Sequence, residues 1–492
     1  MRIPAVNKII PRILCIGRLQ RQSIISLASL LILTLTGFIS TMYFAHLLGA
    51  EGLGGYKIFL AYLAVFTLLT EGGISAAMVK RISEGGDSGQ YYSASVFLRI
   101  LLLTVVIAGI LIAKPVFKDL TSSGLYYLLI LTIIAGGTYN LIISAVYGSG
   151  KVGISQISSL LNETTRITTQ VITVFSGLKS AGLAAGHIAG FIIGAAFAFR
   201  FRTVRLARFG MEHIRSIYAY AKWSFLSGAG TTVIAYADTI LVGYFLTNYE
   251  VGIYGISLQF SAIATLAAAA MINTLFPQVS FWHREEEYSM IKNAVGKSLA
   301  YALIPAIPAV FGGIILGDSI LYFLYGADFA KGTTALMMIL PAQLFSIFFL
   351  TGIMCLNAFN RPRESFRITT SSAAVNILLN LLLIPFFGIN GSALAFLVTM
   401  AFSALYSAVS LRETLPLKPD IPVVKDTIMA SVVMAAAVLM LKEVFPPDSW
   451  QVLFIIVISG SACYLLILLR INRTLKEDIL KILADFGFTA KK

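Results

Sequence analysis

Blocks of about twenty apolar residues, divided by short polar breaks, recur along the whole chain, and this rhythm restricts the fold more than any other feature. About 30 Å of hydrocarbon needs about 20 residues at 1.5 Å each, and only segments that satisfy their own backbone can cross it in series. Fourteen spans are expected. The first seven run near Ser23–Leu48, Leu53–Val79, Tyr91–Ala113, Gly124–Tyr147, Ile154–Phe175, Ala181–Phe199 and Ala219–Leu246. The rest follow near Val251–Phe276, Ala294–Leu316, Thr333–Ala358, Phe366–Phe386, Gly391–Leu411, Asp426–Leu441 and Gln451–Leu469, the second and fifth spans being the least hydrophobic. Composition agrees: 58% of residues are hydrophobic and only 12% charged, where soluble domains carry about 25% charge. The expected class is an all-α integral membrane protein.

The formal net charge of +14 tests the span count. Cations fill the first tail (Arg2, Lys8, Arg12, Arg18, Arg21) and then every second loop, most densely at Arg200, Arg202, Arg205, Arg208 and Arg215. The intervening loops hold only Lys114, Lys118, Lys179, Lys331 and Lys442. Under the positive-inside rule this alternation places both termini in the cytoplasm. The charge then marks topology and contact with anionic membrane lipid, not nucleic acid. No cleavable signal pattern is present. "KIIPRILCIGRLQRQ" and "LKEDILKILADFGF", in the two tails, read as surface-lying amphipathic helices. Cys15, Cys355 and Cys463 and the four histidines are scattered, so neither a disulfide framework nor a metal site is expected.

The chain also repeats itself. "LLGAEGLGGYKIFLAYLAVF" from Leu47 and "FLTNYEVGIYGISLQFSAIA" from Phe245 align at an offset of 198 residues, with Gly54 on Gly252, Tyr56 on Tyr254, Ile58 on Ile256 and Leu60 on Leu258. A repeat displaced by six spans is parallel, related by an axis along the membrane normal. Two lobes follow, 1–209 and 210–411, with 412–492 adding two spans and a tail.

"LLGAEGLGGYKIF…LLTEGGISAAMVKRISEG" resembles the first hairpin of the polysaccharide-transporter branch, the oligosaccharide (Wzx-like) flippases, of the MOP (MATE-like) exporter superfamily. "YAKWSFLSGAGTTVIAYADTILVGYFLTNYEVGIYGISLQF" is similar to that branch's seventh and eighth helices, and "LYGADFAKGTTAL" is a weaker third match. The resemblance covers most of Ser23–Leu411. It implies a V-shaped pair of six-helix lobes giving alternating access to a central cavity. The last two spans are what the flippases have beyond the twelve helices of the drug exporters.

Charges inside spans are expensive and become site candidates. Lys57 and Glu71 lie fourteen residues apart, on one helix face but roughly 21 Å apart along the axis. Lys57 is near the outer end, where it can also snorkel, and Glu71 precedes the bend-prone Gly72-Gly73. Arg99 sits in the third span. In the fifth, Glu163 and Arg166 are three residues apart, either a neutralised pair or part of a polar cavity wall with Asn162 and Gln170. Arginine suits phosphate oxygens, so these residues are candidates for binding a pyrophosphate-linked cargo. Asp238 is the only deep carboxylate of the second half; with Asn376 and Asn380 it makes either a Na⁺ or H⁺ site, which the resemblance favours, or a helix-packing cluster.

The leading function is therefore a flippase for a polyprenyl-(pyro)phosphate-linked oligosaccharide, with a cation-coupled exporter of amphipathic drugs as the alternative. A multispan glycan polymerase or ligase is a third reading. It is disfavoured, since the longest outer loop (Gly317–Gly332) is short and no DxD pair, GxSxG or histidine cluster occurs. A monomer with a central path and no cofactor beyond a coupling ion is expected.

Overall fold

The computed structural model describes residues 18–117, 120, 121, 124–472, 475 and 477, and those residues form helices and connecting turns. The two amphipathic tail segments expected from the sequence lie largely outside them. Fourteen helices of ten residues or more occur among the described residues. They are α1 (Arg18–Glu71), α2 (Ile74–Ser83), α3 (Ser88–Ile112), α4 (Tyr126–Gly148), α5 (Val152–Phe175), α6 (Lys179–Arg200) and α7 (Met211–Phe245). α8 (Asn248–Ser261), α9 (Leu266–Arg284), α10 (Tyr288–Tyr325), α11 (Thr333–Ala358), α12 (Pro362–Leu411), α13 (Ile421–Val444) and α14 (Trp450–Ile471) follow. Among the described residues, eleven helical segments are long and apolar enough to cross a membrane. This is a multi-pass membrane protein.

Two of the long helices are hairpins. Gly49 (φ 65°, ψ −175°) interrupts α1 and Gly388 (φ 58°, ψ −137°) interrupts α12, in backbone regions that are essentially glycine's alone. Ser403 Oγ donates to Ser372 Oγ at 2.7 Å, although thirty-one residues of straight helix would set them about 46 Å apart. Likewise Thr41 and Lys57, on either side of Gly49, both bond the side chain of Gln259. A Cβ at Gly49 would meet no atom within 4 Å, so Gly49→Ala isolates backbone strain. It is expected to lower stability by about 1–3 kcal/mol, read as a lower Tm of the purified protein in detergent.

α5 is absent from the apolar segments, as its run of Asn162, Glu163, Arg166 and Gln170 requires. It is held by α6, whose Gly182, Gly186, Gly190 and Gly194 form a ridge of small residues at every fourth position. A Cβ on Gly190 would lie 2.6 Å from the Asn162 carbonyl oxygen, so the two backbones are in direct contact. α13 and α14 pack on α10. Pro308 in α10 has no N–H for the Ile304 carbonyl four residues earlier, and Tyr464 of α14 donates its hydroxyl to that oxygen at 2.6 Å.

The repeat copies meet each other. A Cβ at Gly54 would lie 1.6 Å from the Asn248 carbonyl oxygen, and one at Gly252 would lie 2.0 Å from that of Ala50. Ala50 and Asn248 carry the same 198-residue offset as the glycines, so the contact is reciprocal, as a two-fold relation between copies demands. It closes the end of the molecule where the chain turns at Gly49. The dense basic segment Arg200–Arg208 lies at the opposite end of α7.

Candidate functional site

Below the α1–α8 crossing lies a cavity of about 900 Å³. Its wall along α1 runs from Lys57 through Leu60, Ala64 and Thr67 to Glu71, the one-face spacing expected from sequence. α7 contributes Thr231, Thr232, Tyr236, Asp238 and Thr239, α8 Gln259, and α11 Gln343 and Ser346. Neutral hydroxyl and carboxamide groups therefore dominate the polar lining. Among the described lining residues there is one cation, Lys57, against two carboxylates, Glu71 and Asp238.

Lys57 lies at the closed end. Its stem rests on Gly255, where a Cβ would come within 3.2 Å of it, and its ammonium donates to Gln259 Oε1, whose Nε2 donates to Thr41 Oγ1 at 3.0 Å. No carboxylate pairs with Lys57 among the described residues. Glu71 sits twenty-two residues past the turn, about 33 Å, and so near the far side of the hydrocarbon. Helix α1 stops there because Gly72 and Gly73 both take left-handed backbone (φ 52° and 75°) before α2 resumes.

Asp238 lines the cavity but turns its carboxylate into the wall, leaving the residue 2% exposed. Tyr254 Oη donates to Oδ2 at 2.9 Å and Asn380 Nδ2 to Oδ1 at 2.7 Å. Asn380 is itself fixed, accepting from Ser392 Oγ at 2.7 Å and donating to the Asn376 carbonyl at 2.9 Å. The Asn376 carboxamide lies beside the same carboxylate, yet neither of its polar atoms completes a hydrogen bond of good geometry. The three residues singled out by sequence thus converge, and Tyr254 and Ser392 join them.

The family model described as polysaccharide biosynthesis protein matches residues 20–283, more than half of the chain. The protein belongs to this family. It is similar to the probable low-salt glycan biosynthesis flippase Agl15 of Haloferax volcanii, 27% identical over 428 residues that cover 87% of this chain and 90% of that protein. The probable flippase AglR of the same organism is 23% identical over 481 residues, covering 95% and 99%. Among solved structures, the lipid II flippase MurJ in an inward closed conformation aligns with a TM-score of 0.74 at 18% identity, over 90% of this chain and 98% of that one. An inward-facing MATE multidrug transporter of the MOP superfamily aligns with a TM-score of 0.63 at 14% identity, over 77% and 94%. The chain thus has the fold of these two transporters.

The remaining candidates of this family member lie away from the cavity lining. Arg166 donates through Nε to Glu163 at 3.0 Å, with a second, closer bond between the same pair, and through Nη1 to Gln170 Oε1 at 2.9 Å. Gln170 Nε2 continues to Tyr56 Oη at 3.0 Å and to the Leu183 carbonyl, and Tyr56 Oη lies 2.7 Å from His187 Nε2. Glu163 and Arg166 are therefore a pair on one helix, anchoring a polar chain that ties α5 to α1 and α6. Tyr56 and Tyr254, matched in the repeat, each end in a buried polar cluster. That pairing was visible in the sequence, whereas Gln170 and His187 had no signal beyond polarity.

Arg99 is 2% exposed, behind the cavity wall at the Gly72–Gly73 break. Its Nη2 donates to Ser75 Oγ at 3.2 Å, while Nε and Nη1 have no partner among the described residues. Glu71 is the carboxylate whose field reaches it. A buried charge so poorly bonded contributes little to stability, so Arg99→Met is expected to keep the unfolding free energy within about 1 kcal/mol of wild type or to raise it. A drop of several kcal/mol in thermal unfolding would mean that the guanidinium holds the break together.

Proposed function

We propose that the protein is a flippase. It carries a polyprenyl-(pyro)phosphate-linked oligosaccharide across the cell membrane for surface polysaccharide assembly, by alternating access. The observation that carries this reading is the 900 Å³ cavity, closed at one end, whose polar groups, set among apolar side chains, are mainly hydroxyls and carboxamides, which suit the donors, acceptors and apolar faces of a sugar. Lys57, a cation without a carboxylate partner at the closed end, is the group that would meet a phosphate. The flippase relatives point the same way. A separate apolar groove of about 440 Å³, between α8, α10, α13 and α14, suits the isoprenoid tail with contacts such as Pro305, Leu316, Met434 and Val438. The two lobes, 1–209 and 210–411, rock about the α1–α8 crossing, and 412–492 supplies part of the tail groove. Fourteen crossings put both termini in the cytoplasm and the crossing on the outer side. The monomer is the working unit, no catalysis is involved, and the Asp238 cluster couples transport to Na⁺ or H⁺.

A second reading rests on one observation, the two carboxylates against one cation on the described lining, which would suit a cationic drug. One experiment separates the two. The protein is reconstituted in liposomes with a fluorescent short-chain polyprenyl-pyrophosphate oligosaccharide, and outer-leaflet appearance is followed with and without an ion gradient. Movement of the lipid is expected; gradient-driven efflux of a cationic dye with no lipid movement would replace the flippase by a drug exporter.

A further inference from the structure

A second polar cavity of about 590 Å³ opens towards the basic end of α7, within the range of roughly 300–1,000 Å³ common for small-ligand sites. It shares Thr231 with the central cavity, so the two adjoin at that residue. Tyr220 and Trp223 of α7 line one side, and Asn357 of α11 and Ser365 and Thr369 of α12 line the other. The floor is set where α7 and α12 touch: a Cβ at Gly230 would lie 2.7 Å from Thr369 Oγ1.

Three features narrow the ligand. No aspartate, glutamate, lysine or arginine is among the described lining residues, and the two lysines beside it, Lys80 and Lys222, sit on its aromatic rings. Ser224, Asn357 and Ser365 line the cavity with side chains that make no hydrogen bond to other described residues. Hydroxyls and a carboxamide both donate and accept. The two aromatic rings are partly exposed and each is held by a lysine, Lys80 4.7 Å from the Tyr220 centroid and Lys222 5.6 Å from that of Trp223. A neutral ligand that donates, accepts and offers an apolar face to an aromatic ring is a pyranose.

We propose that this cavity is a second glycan subsite on the cytoplasmic side. It holds the sugars distal to the phosphate while the lipid-proximal sugar occupies the central cavity. It rests on the flippase reading and adds to it a specificity for glycan length. Trp223 and Asn357 are its principal contacts.

The test uses the full chain in proteoliposomes with two fluorescent probes, short-chain polyprenyl-pyrophosphate lipids bearing one hexose or four. Wild type is expected to half-saturate at a concentration about tenfold lower for the tetrasaccharide lipid. Trp223→Ala and Asn357→Ala should each reduce that advantage to within about twofold while leaving the monosaccharide lipid unchanged, and Trp223→Tyr should retain it. Binding at the subsite is read separately. The chain has three tryptophans, and with Trp282→Phe and Trp450→Phe the emission of Trp223 should shift with the tetrasaccharide lipid alone. Equal handling of both probes by wild type, or equal loss of both in the variants, would remove the subsite and leave the flippase intact. Failure of wild type to move either probe would remove both.

Discussion

Gly54→Val and Gly252→Val are each expected to cut lipid transport about fivefold or more while the protein still inserts and purifies normally. The reason is geometric. Each glycine faces a carbonyl oxygen of the opposite repeat copy at a distance no Cβ tolerates, 1.6 Å at Asn248 and 2.0 Å at Ala50. Those oxygens belong to helix backbone and cannot swing aside as a side-chain tip would. The crossing must therefore open, and the bonds of Lys57 and Thr41 to Gln259, one turn below, open with it. Overpacking of this kind costs about 1–3 kcal/mol, which shifts a two-state equilibrium by roughly 5- to 150-fold. Only the state closed at this crossing bears that cost, so the carrier is biased towards the one open there. Leu60→Cys, just inside the crossing, should then react with an impermeant maleimide from outside in the valine variants and not in the parent. Gly109→Val is the control, since a Cβ at Gly109 meets nothing within 4 Å. Normal transport in both valine variants would mean that the crossing is a fixed joint and the gate lies elsewhere.

This crossing illustrates what a sequence does and does not disclose. The helical class followed from hydropathy because the bilayer imposes one length on every span. The repeat followed from four matched residues, and two of them, Gly54 and Gly252, prove to be the contact itself. The hairpin turns were legible as breaks between apolar blocks, though not as the glycine conformations that make them. Charge was less readable. Asp238, Asn376 and Asn380 converge because two of them share a helix face and the third lies on the neighbouring helix. Lys57 and Glu71 do line one cavity. Arg99 and Arg166 belong to the same candidate set, but a span's polarity does not reveal which way it faces. The Gly182–Gly194 ridge was the missing signal: it turns the polar face of α5 towards α6, where Arg166 finds Glu163 and Gln170.

Asp238→Asn is expected to leave the fold unchanged and abolish coupling to the ion gradient. Wild-type Asp238 accepts from Tyr254 and from Asn380. Asn380 cannot turn, because its oxygen accepts from Ser392 and its nitrogen also donates to the Asn376 carbonyl. The new carboxamide must then offer its oxygen to Asn380 and its NH₂ to Tyr254, whose hydroxyl rotates to accept. Both contacts survive, the one to Tyr254 with its direction reversed, so the unfolding free energy should stay within about 1 kcal/mol of wild type, whereas Asp238→Ala leaves two donors unpaired and should lose about 1–3 kcal/mol. What disappears is the charge. A carboxylate buried without a cation among the described residues is costly to keep ionised, and a Na⁺ or a proton at this point removes the cost. The idle oxygen of Asn376 is the extra ligand a Na⁺ would use. In proteoliposomes the gradient should accelerate wild-type flipping and leave the asparagine variant unaffected at its downhill rate. If Na⁺ is the ion, wild-type Tm should rise with its concentration at constant ionic strength, and the variant's should not. A variant that still responds to the gradient would place coupling outside this cluster and leave Asp238 as the packing residue of α7 and α12.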